Sequence, residues 1–284
     1  MTALKADLHL HSTASDGMLS PAEVVRRAAE KGCTHLALTD HDSVSGIAEA
    51  RRQAEASGLF LVPGVEMSCG GDKEIHVLGY GFDPDNEAVR AFCRSKAEER
   101  RTRVEKMVRQ LEDNGISVSL ESVMEIARGV PGRAHLARVL VHEGYATSVR
   151  NAFDRYLAQG RCGFVPKRLF TVREAAALME QAGGIAVLAH PMQLGKSFHV
   201  LEPLAASWTE DGLRGMEVYH PSADAGDEPV LLGIAKRCGL LVTGGSDFHG
   251  AQVKPDIEIG QEFQRWKTMD EDVRRLLSAL KIPA

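Results

Sequence analysis

Asp7-Leu8-His9-Leu10-His11 places two imidazoles two residues apart near the start of the chain. Read as a strand, alternate residues point the same way, so His9 and His11 share a face with Asp7 behind them. Two imidazoles at that spacing can grip one divalent ion. Further polar clusters recur downstream: Thr39-Asp40-His41-Asp42, Gly64-Val65-Glu66, Glu74-Ile75-His76, Ala189-His190-Pro191 and Ser246-Asp247-Phe248-His249. Each reads as the close of an apolar, β-branched run.

A lone strand-end histidine is ordinarily structural. Here six of the eleven histidines are placed at strand ends: His9, His11, His41, His76, His190 and His249. Joined by Asp16, Glu66 and Asp247, they point to a metal site. Imidazole and carboxylate donors suit Mn, Fe, Zn or Co rather than Ca or a thiolate-bound ion. More than four ligands implies more than one ion, and Glu66 can bridge two. Ions about 3.5–4 Å apart activate a shared water and clamp a phosphoryl oxygen. Asp16 lies in the turn Ser15-Asp16-Gly17, where it either caps backbone N–H groups or binds metal. Asp40 and Asp42 face away from His41 on a strand and support rather than ligate. His35 is expected to be structural and His142 and His199 to lie on the surface. The role of His220 is open.

The elements that must position these residues follow from alternation. Seven strands are expected at roughly 5–11, 35–41, 59–66, 75–81, 184–190, 215–219 and 240–247. Helices separate most of them. The first has Ser20 as N-cap, Pro21 at its first position and Gly32 at its end. Others are expected from Ser45 to Gly58 and from Thr171 to Gly183. This spacing argues for a parallel α/β sheet. Polar residues gathered at strand C-terminal ends favour a closed β/α barrel, where those ends meet at one mouth.

Residues 85–165 break the alternation and read as helices: Asp85–Asn114, Leu120–Arg128, Arg133–Glu143 and Val149–Gln159. We read them as a small helical domain inserted into a barrel formed by residues 1–84 and 166–284. The insert holds 14 basic and 11 acidic residues, a net +3, and the remainder is −8. A basic cap over an acidic barrel mouth suits an anionic substrate, although the same charges also fit a solvated bundle. Arg100 and Arg103 share a helix face within Glu98-Glu99-Arg100-Arg101-Thr102-Arg103. Arg133 and His135 open the third insert helix, where anions bind well. Lys167 and Arg168 follow the insert. Arg100, Arg101, Arg103, Arg133, His135 and Lys167 are therefore the candidate substrate contacts, with His249 beside them from the metal set.

The 284 residues carry a net charge of −5, which speaks against general polyanion binding. No apolar run approaches a membrane span, and no signal peptide is visible. Five scattered cysteines without a C-x-x-C pair suggest free thiols and a cytoplasmic protein. No obligatory protein partner is evident.

With these residues in view, the chain resembles the PHP (polymerase and histidinol phosphatase) family. The resemblance rests on Asp7-Leu8-His9-Leu10-His11-Ser12, Ser15-Asp16-Gly17, Thr39-Asp40-His41-Asp42, Pro63-Gly64-Val65-Glu66, Ile75-His76, Ala189-His190-Pro191 and Gly245-Ser246-Asp247-Phe248-His249. It implies a distorted (β/α)7 barrel holding two or three divalent ions, Mn first, with Fe or Zn as alternatives. By position, His9, His11, Glu66 and Asp247 resemble one ion's ligands. Glu66, His76 and His190 resemble a second set, and Asp16, His41 and His249 a third. The insert resembles that of small stand-alone phosphoesterases. One branch removes the 3′-phosphate of 3′,5′-nucleoside bisphosphates and trims short RNA from the 5′ end. That branch often carries an arginine soon after the His-Pro of strand 5, where this chain has Met192-Gln193-Leu194. A sister branch hydrolyses sugar 1,2-cyclic phosphates.

The resemblance implies a metal-dependent phosphoric ester hydrolase acting on a small nucleotide or sugar phosphate. Histidinol phosphatase, a C–N-cleaving amidohydrolase, a nuclease of long nucleic acid and a non-catalytic metal-binding module are the competing readings.

Overall fold

The computed structural model describes residues 4–70, 74–127, 129–167, 169–260 and 269–283. Seven strands follow one another around a single sheet in chain order. They are β1 (Ala6–Leu10), β2 (His35–Leu38), β3 (Phe60–Gly70), β4 (Glu74–Tyr80), β5 (Ile185–Leu188), β6 (Gly215–Tyr219) and β7 (Leu241–Gly244). The last strand returns to the first. Asp247 N donates to His9 O at 2.8 Å and His11 N to Phe248 O at 3.0 Å, so the barrel is nearly closed. Every residue of β1 and β6 is buried, as expected where side chains fill the barrel on one face and meet helices on the other.

The all-parallel expectation fails at one strand. β4 runs antiparallel to both β3 and β5. Only three residues separate Gly70 from Glu74, and a parallel crossover needs a dozen or more. The reversal has a consequence for the site. His76 does not close its strand; it lies two residues from the start of β4, and reversal brings that start to the mouth.

Around the barrel lie α1 (Pro21–Glu30), α2 (Ile47–Ser57), α7 (Val172–Gln181), α8 (Phe198–Glu210), α9 (Asp227–Arg237) and α10 (Met269–Ala279). The alternation implies the last three without delimiting them. α1 and α7 begin in reciprocal capping boxes, Ser20 with Glu23 and Thr171 with Glu174.

Between β4 and α7 run α3 (Glu87–Asp113), α4 (Leu120–Ala127), α5 (Arg133–His142) and α6 (Val149–Ala152). A π-helical turn at Phe153–Leu157 continues α6. These elements bury their own apolar cluster, which includes Val104, Met107, Leu111, Leu136, Leu140 and Leu157. α3 is amphipathic in segments. Lys96, Arg100 and Arg103 recur at helical spacing on one stripe, while Met107, Val108 and Leu111 point into the cluster.

Candidate metal centre

Glu66, on β3, is the hub. Its Oε2 lies 3.4 Å from His9 Nε2, 3.1 Å from His11 Nε2 and 3.0 Å from His41 Nδ1. Its Oε1 lies 2.8 Å from His76 Nδ1 and 3.0 Å from His190 Nε2. One carboxylate thus presents each oxygen to a different set of imidazoles. Asp247 Oδ1 lies 3.6 Å from His9 Nε2 and 3.4 Å from both His11 Nε2 and His249 Nδ1. Asp16 Oδ1 lies 3.4 Å from His249 Nε2 and 3.9 Å from both His41 Nε2 and His11 Nδ1. All nine residues expected to hold metal therefore meet in one pocket. The donor atoms of His11, Asp16, His41 and His249 are spaced to share one ion, as are those of His9, His11 and Asp247 and those of His41, Glu66 and His76.

A second tier of residues fixes these donors. Glu217, in the middle of β6, is fully buried and is not among the residues the sequence singles out. Its Oε1 sits 2.9 Å from His9 Nδ1, and its Oε2 accepts the backbone N–H of His190 at 2.7 Å. The one signal in the sequence was an acid inside the apolar run Gly215-Met216-Glu217-Val218-Tyr219. His220, whose role was open, accepts the Ser222 N–H on Nδ1 and turns Nε2 toward Asp247 Oδ2 at 3.4 Å. Lys254 pairs with the same oxygen, leaving Asp247 Oδ1 to face the histidines. Asp40 accepts from Ser12 N, Ser12 Oγ and Ser15 Oγ at 2.6–2.7 Å, bracing the loop that carries Asp16. Asp42 accepts Ser68 N–H at 2.8 Å and pairs with Arg100 at 2.6 Å. Both acids support, as expected.

His35, His142 and His199 fall where the sequence put them. His35 is buried, with Nε2 3.2 Å from Pro283 O. His142 and His199 are exposed.

Backbone conformation is unusual here. Asp42, His190 and Asp247 have φ of +50°, +25° and +56°, and only Lys281 joins them among described non-glycine residues. Such conformations cost about 1–3 kcal/mol each and persist where surroundings fix them. Hydrogen bonds from His190 N to Glu217 and from Asp247 N to His9 O supply that restraint. Gly245 lets β7 pass close to β1: a Cβ there would lie 2.4 Å from His9 N.

Charge and burial pull against each other in the pocket. Burial raises the carboxyl pKa values of Glu66, Asp247 and Asp16, but the adjoining imidazoles, joined at Asp247 by Lys254, outweigh it and hold all three well below the usual range. Burial lowers His11, yet the adjoining Asp247 and Glu66 carboxylates carry it up to about 9. Burial wins at His41, pushed down to about 3, and at His190 and His249, also lowered. Those three rings keep neutral nitrogen lone pairs.

The residues fit a divalent metal cluster. His9 Nε2, His11 Nε2, His41 Nδ1 and Glu66 Oε2 are all buried and have no hydrogen-bond partner among the described residues. Orphaned buried polar atoms cost about 1–3 kcal/mol each, and these four face one another. Imidazole nitrogens with carboxylate oxygens are borderline donors for first-row divalent ions.

Beside the centre opens a cavity of about 680 Å³ between the barrel mouth and the inserted helices. Its wall includes Asp16, His41 and His76 from the centre and Arg100, Arg103, Arg133 and Lys167 from the candidate substrate contacts. Arg103 donates Nε to Val165 O at 2.7 Å and has no carboxylate partner among the described residues. Burial and the nearby Arg133 push its pKa down to about 10. Arg133 lies 5.6 Å over the Phe153 ring.

Two expected contacts are corrected. Arg101 is exposed and is absent from the cavity wall, because one residue along a helix turns the side chain about 100° from Arg100. His135 is buried, and its Nδ1 accepts the Gly132 N–H at 3.1 Å, tying down the start of α5. It too is off the wall, and burial pushes its pKa down to about 4. His249 sits within the centre rather than on the wall. Arg168 lies outside the described residues.

A histidine–carboxylate cluster at the mouth of a seven-stranded barrel, beside a cavity whose wall carries Arg103, Arg133 and Lys167, defines a metal-dependent phosphoesterase. Residues 7–159 match the PHP domain model, and the chain belongs to the PHP domain family.

It is 38% identical over 261 residues to the 5′-3′ exoribonuclease Rnm of Escherichia coli, covering 90% of this chain and 88% of the relative. It is 37% identical over 246 residues to the 3′,5′-nucleoside bisphosphate phosphatase of Chromobacterium violaceum, 86% of each chain. It is 34% identical over 251 residues to the phosphoribosyl 1,2-cyclic phosphate 1,2-diphosphodiesterase of Eggerthella lenta, 86% of this chain and 94% of the relative.

Among solved structures, a Bifidobacterium adolescentis protein assigned to the metal-dependent phosphoesterases superposes with TM-score 0.84 at 30% identity, covering 98% and 96% of the two chains. A Chromobacterium violaceum protein described as an amidohydrolase, with bound sulfate and no metal, gives 0.82 at 36% identity, covering 88% and 89%.

Proposed function

We propose that this phosphoesterase removes the 3′-phosphate of 3′,5′-nucleoside bisphosphates and also trims short RNA from the 5′ end. The observation that carries this reading is Arg103, a half-buried guanidinium without a carboxylate partner among the described residues, set in a cavity that also opens on His41 and His76. A substrate with one phosphate at the centre and a second on Arg103 fits that layout. The relatives named above as a bisphosphate phosphatase and an exoribonuclease support it.

His9, His11, Glu66 and Asp247 would hold one ion, Glu66, His76 and His190 a second, and Asp16, His41 and His249 a third, with Mn preferred and Fe or Zn accommodated by the same donors. When bound, such ions would supply a nucleophile near neutral pH and polarise phosphoryl oxygens. The chain's own residues do the rest. Glu217 would take the His9 Nδ1 proton on the side away from the centre, so that Nε2 is the nitrogen offered to an ion there. Lys254 and His220 hold Asp247 in one orientation. Arg103, Arg133 and Lys167 orient the remote anion, and Arg100 fixes Asp42 beneath the cavity. Hydrolysis breaks the P–O ester bond and yields a nucleoside 5′-phosphate and inorganic phosphate.

The residues 85–165 act as a cap that supplies most of these cations. Five free cysteines support a cytoplasmic setting. No described helix is long and apolar enough to cross a membrane.

Phosphate release with Mn²⁺ added tests the substrate, using adenosine 3′,5′-bisphosphate, a sugar 1,2-cyclic phosphate, histidinol phosphate and a short 5′-phosphorylated RNA. The bisphosphate is expected to turn over with the highest kcat/KM. Preference for the cyclic phosphate would move the protein to the activity for which its Eggerthella relative is named.

A further inference from the structure

Glu74 opens β4 and belongs to no candidate ligand set. Its carboxylate nevertheless meets three partners. Oε1 lies 3.1 Å from His76 Nε2 and also pairs with Lys167 Nζ. Oε2 accepts from Arg133 Nη2 at 3.1 Å. His76 has its other nitrogen, Nδ1, 2.8 Å from Glu66 Oε1. His76 is therefore held between two carboxylates, one in the centre and one on the cavity wall. A proton on Nε2 directed at Glu74 would leave Nδ1 as the nitrogen that meets an ion at the centre.

Lys167 and Arg133 come from different segments, one just before α7 and one at the start of α5. Both line the cavity together with Glu74. A single carboxylate placed between two such cations occupies the position an incoming phosphate oxygen would take.

We propose that Glu74 is a positioning residue and internal counter-anion, orienting His76 toward the centre while holding Arg133 and Lys167 at the cavity wall in place of the substrate's remote phosphate. The inference rests on the phosphoesterase reading above and names a residue that tunes it. It assigns Glu74 two effects of opposite sign. Loss of its charge loosens His76, and outer hydrogen-bond partners of metal-binding histidines are worth about 10–100-fold in metal affinity. The same loss removes a negative charge beside two cations and raises the cavity's attraction for anions.

Titration calorimetry on the metal-free protein separates these effects without any turnover. Glu74→Gln should weaken Mn²⁺ binding about tenfold or more and tighten inorganic phosphate binding several-fold. A merely structural role would weaken both. Any outcome other than opposite shifts, in a variant whose melting temperature and circular dichroism match wild type, overturns the inference. Lys167→Gln provides a second arm should Glu74→Gln fold poorly. It should weaken phosphate binding and leave Mn²⁺ binding unchanged, and a loss of Mn²⁺ binding there would overturn the proposed division of roles. Both readouts are independent of substrate, so failure of the enzyme on every phosphate ester would count against the function and not against Glu74.

Discussion

Glu217 Oε1 lies 2.9 Å from His9 Nδ1, and both side chains are wholly buried. The pair fixes which nitrogen of His9 faces the centre. Glu217→Gln is expected to raise the Mn²⁺ concentration needed for half-maximal activity by about 10–100-fold. Glu217→Ala should also lower stability by about 3–5 kcal/mol, because it strands a buried partner. Metal-dependent kinetics and chemical denaturation check the two effects separately, and normal metal activation in the Gln variant would remove Glu217 from the account.

Glu66 serves both sets of imidazoles at once, so its loss should cost more than one ion. Glu66→Gln is expected to lose metal content by elemental analysis together with rate, by more than the about 10–100-fold that an outer partner costs. Full metal occupancy in this variant would refute the bridging arrangement.

Chelation should abolish activity and lower the melting temperature, with Mn²⁺ restoring both. A ligand at a hundredfold over its dissociation constant stabilises by about 2.7 kcal/mol. Scanning calorimetry with and without chelator measures it, and an unchanged melting temperature would argue against a metal-stabilised fold.

Arg103 and Arg101 form a matched pair, two residues apart on α3 with one facing the cavity and one facing solvent. Arg103→Ala should raise KM for a bisphosphate about tenfold or more with little change in kcat, as loss of a remote anchor does. Arg101→Ala should leave both constants unchanged. Steady-state kinetics decides this, and equal effects would place the remote phosphate elsewhere.

His35 supplies a pH dependence away from the centre. Its ring stacks on Phe60 with centroids 5.0 Å apart, and burial lowers its pKa below 6.5 despite the hydrogen bond to Pro283 O. The folded state favours the neutral ring. Its contribution is fully present above the unfolded value and is lost as pH falls below about 6.5, where the unfolded chain takes up the proton first. The melting temperature of wild type relative to His35→Gln should therefore drop between about pH 7.5 and pH 5.5. A constant difference would show that His35 does not titrate across this range.

Much of this was legible locally. A strand's period of two put His9 and His11 on one face, and capping residues marked the start of α1. The helical run expected from Asp85 to Asn114 and the shared face of Arg100 and Arg103 followed from a period of 3.6. Donor types, and hence borderline divalent metals, needed only the residue list.

The rest required the barrel to close. Glu217 could not be found from its neighbours, because its partners His9 and His190 lie 208 and 27 residues away. Arg101 and His135 looked equal to Arg100 and Arg133 in the sequence and were separated only by which way α3 and α5 face. The direction of β4 was set by a connection too short for a crossover, and that reversal brought Glu74 and His76 to the mouth. Spacing along the chain fixes the direction of a side chain within its own element. Which atoms meet across elements depends on how those elements pack, and that is decided when the sheet curls back on itself.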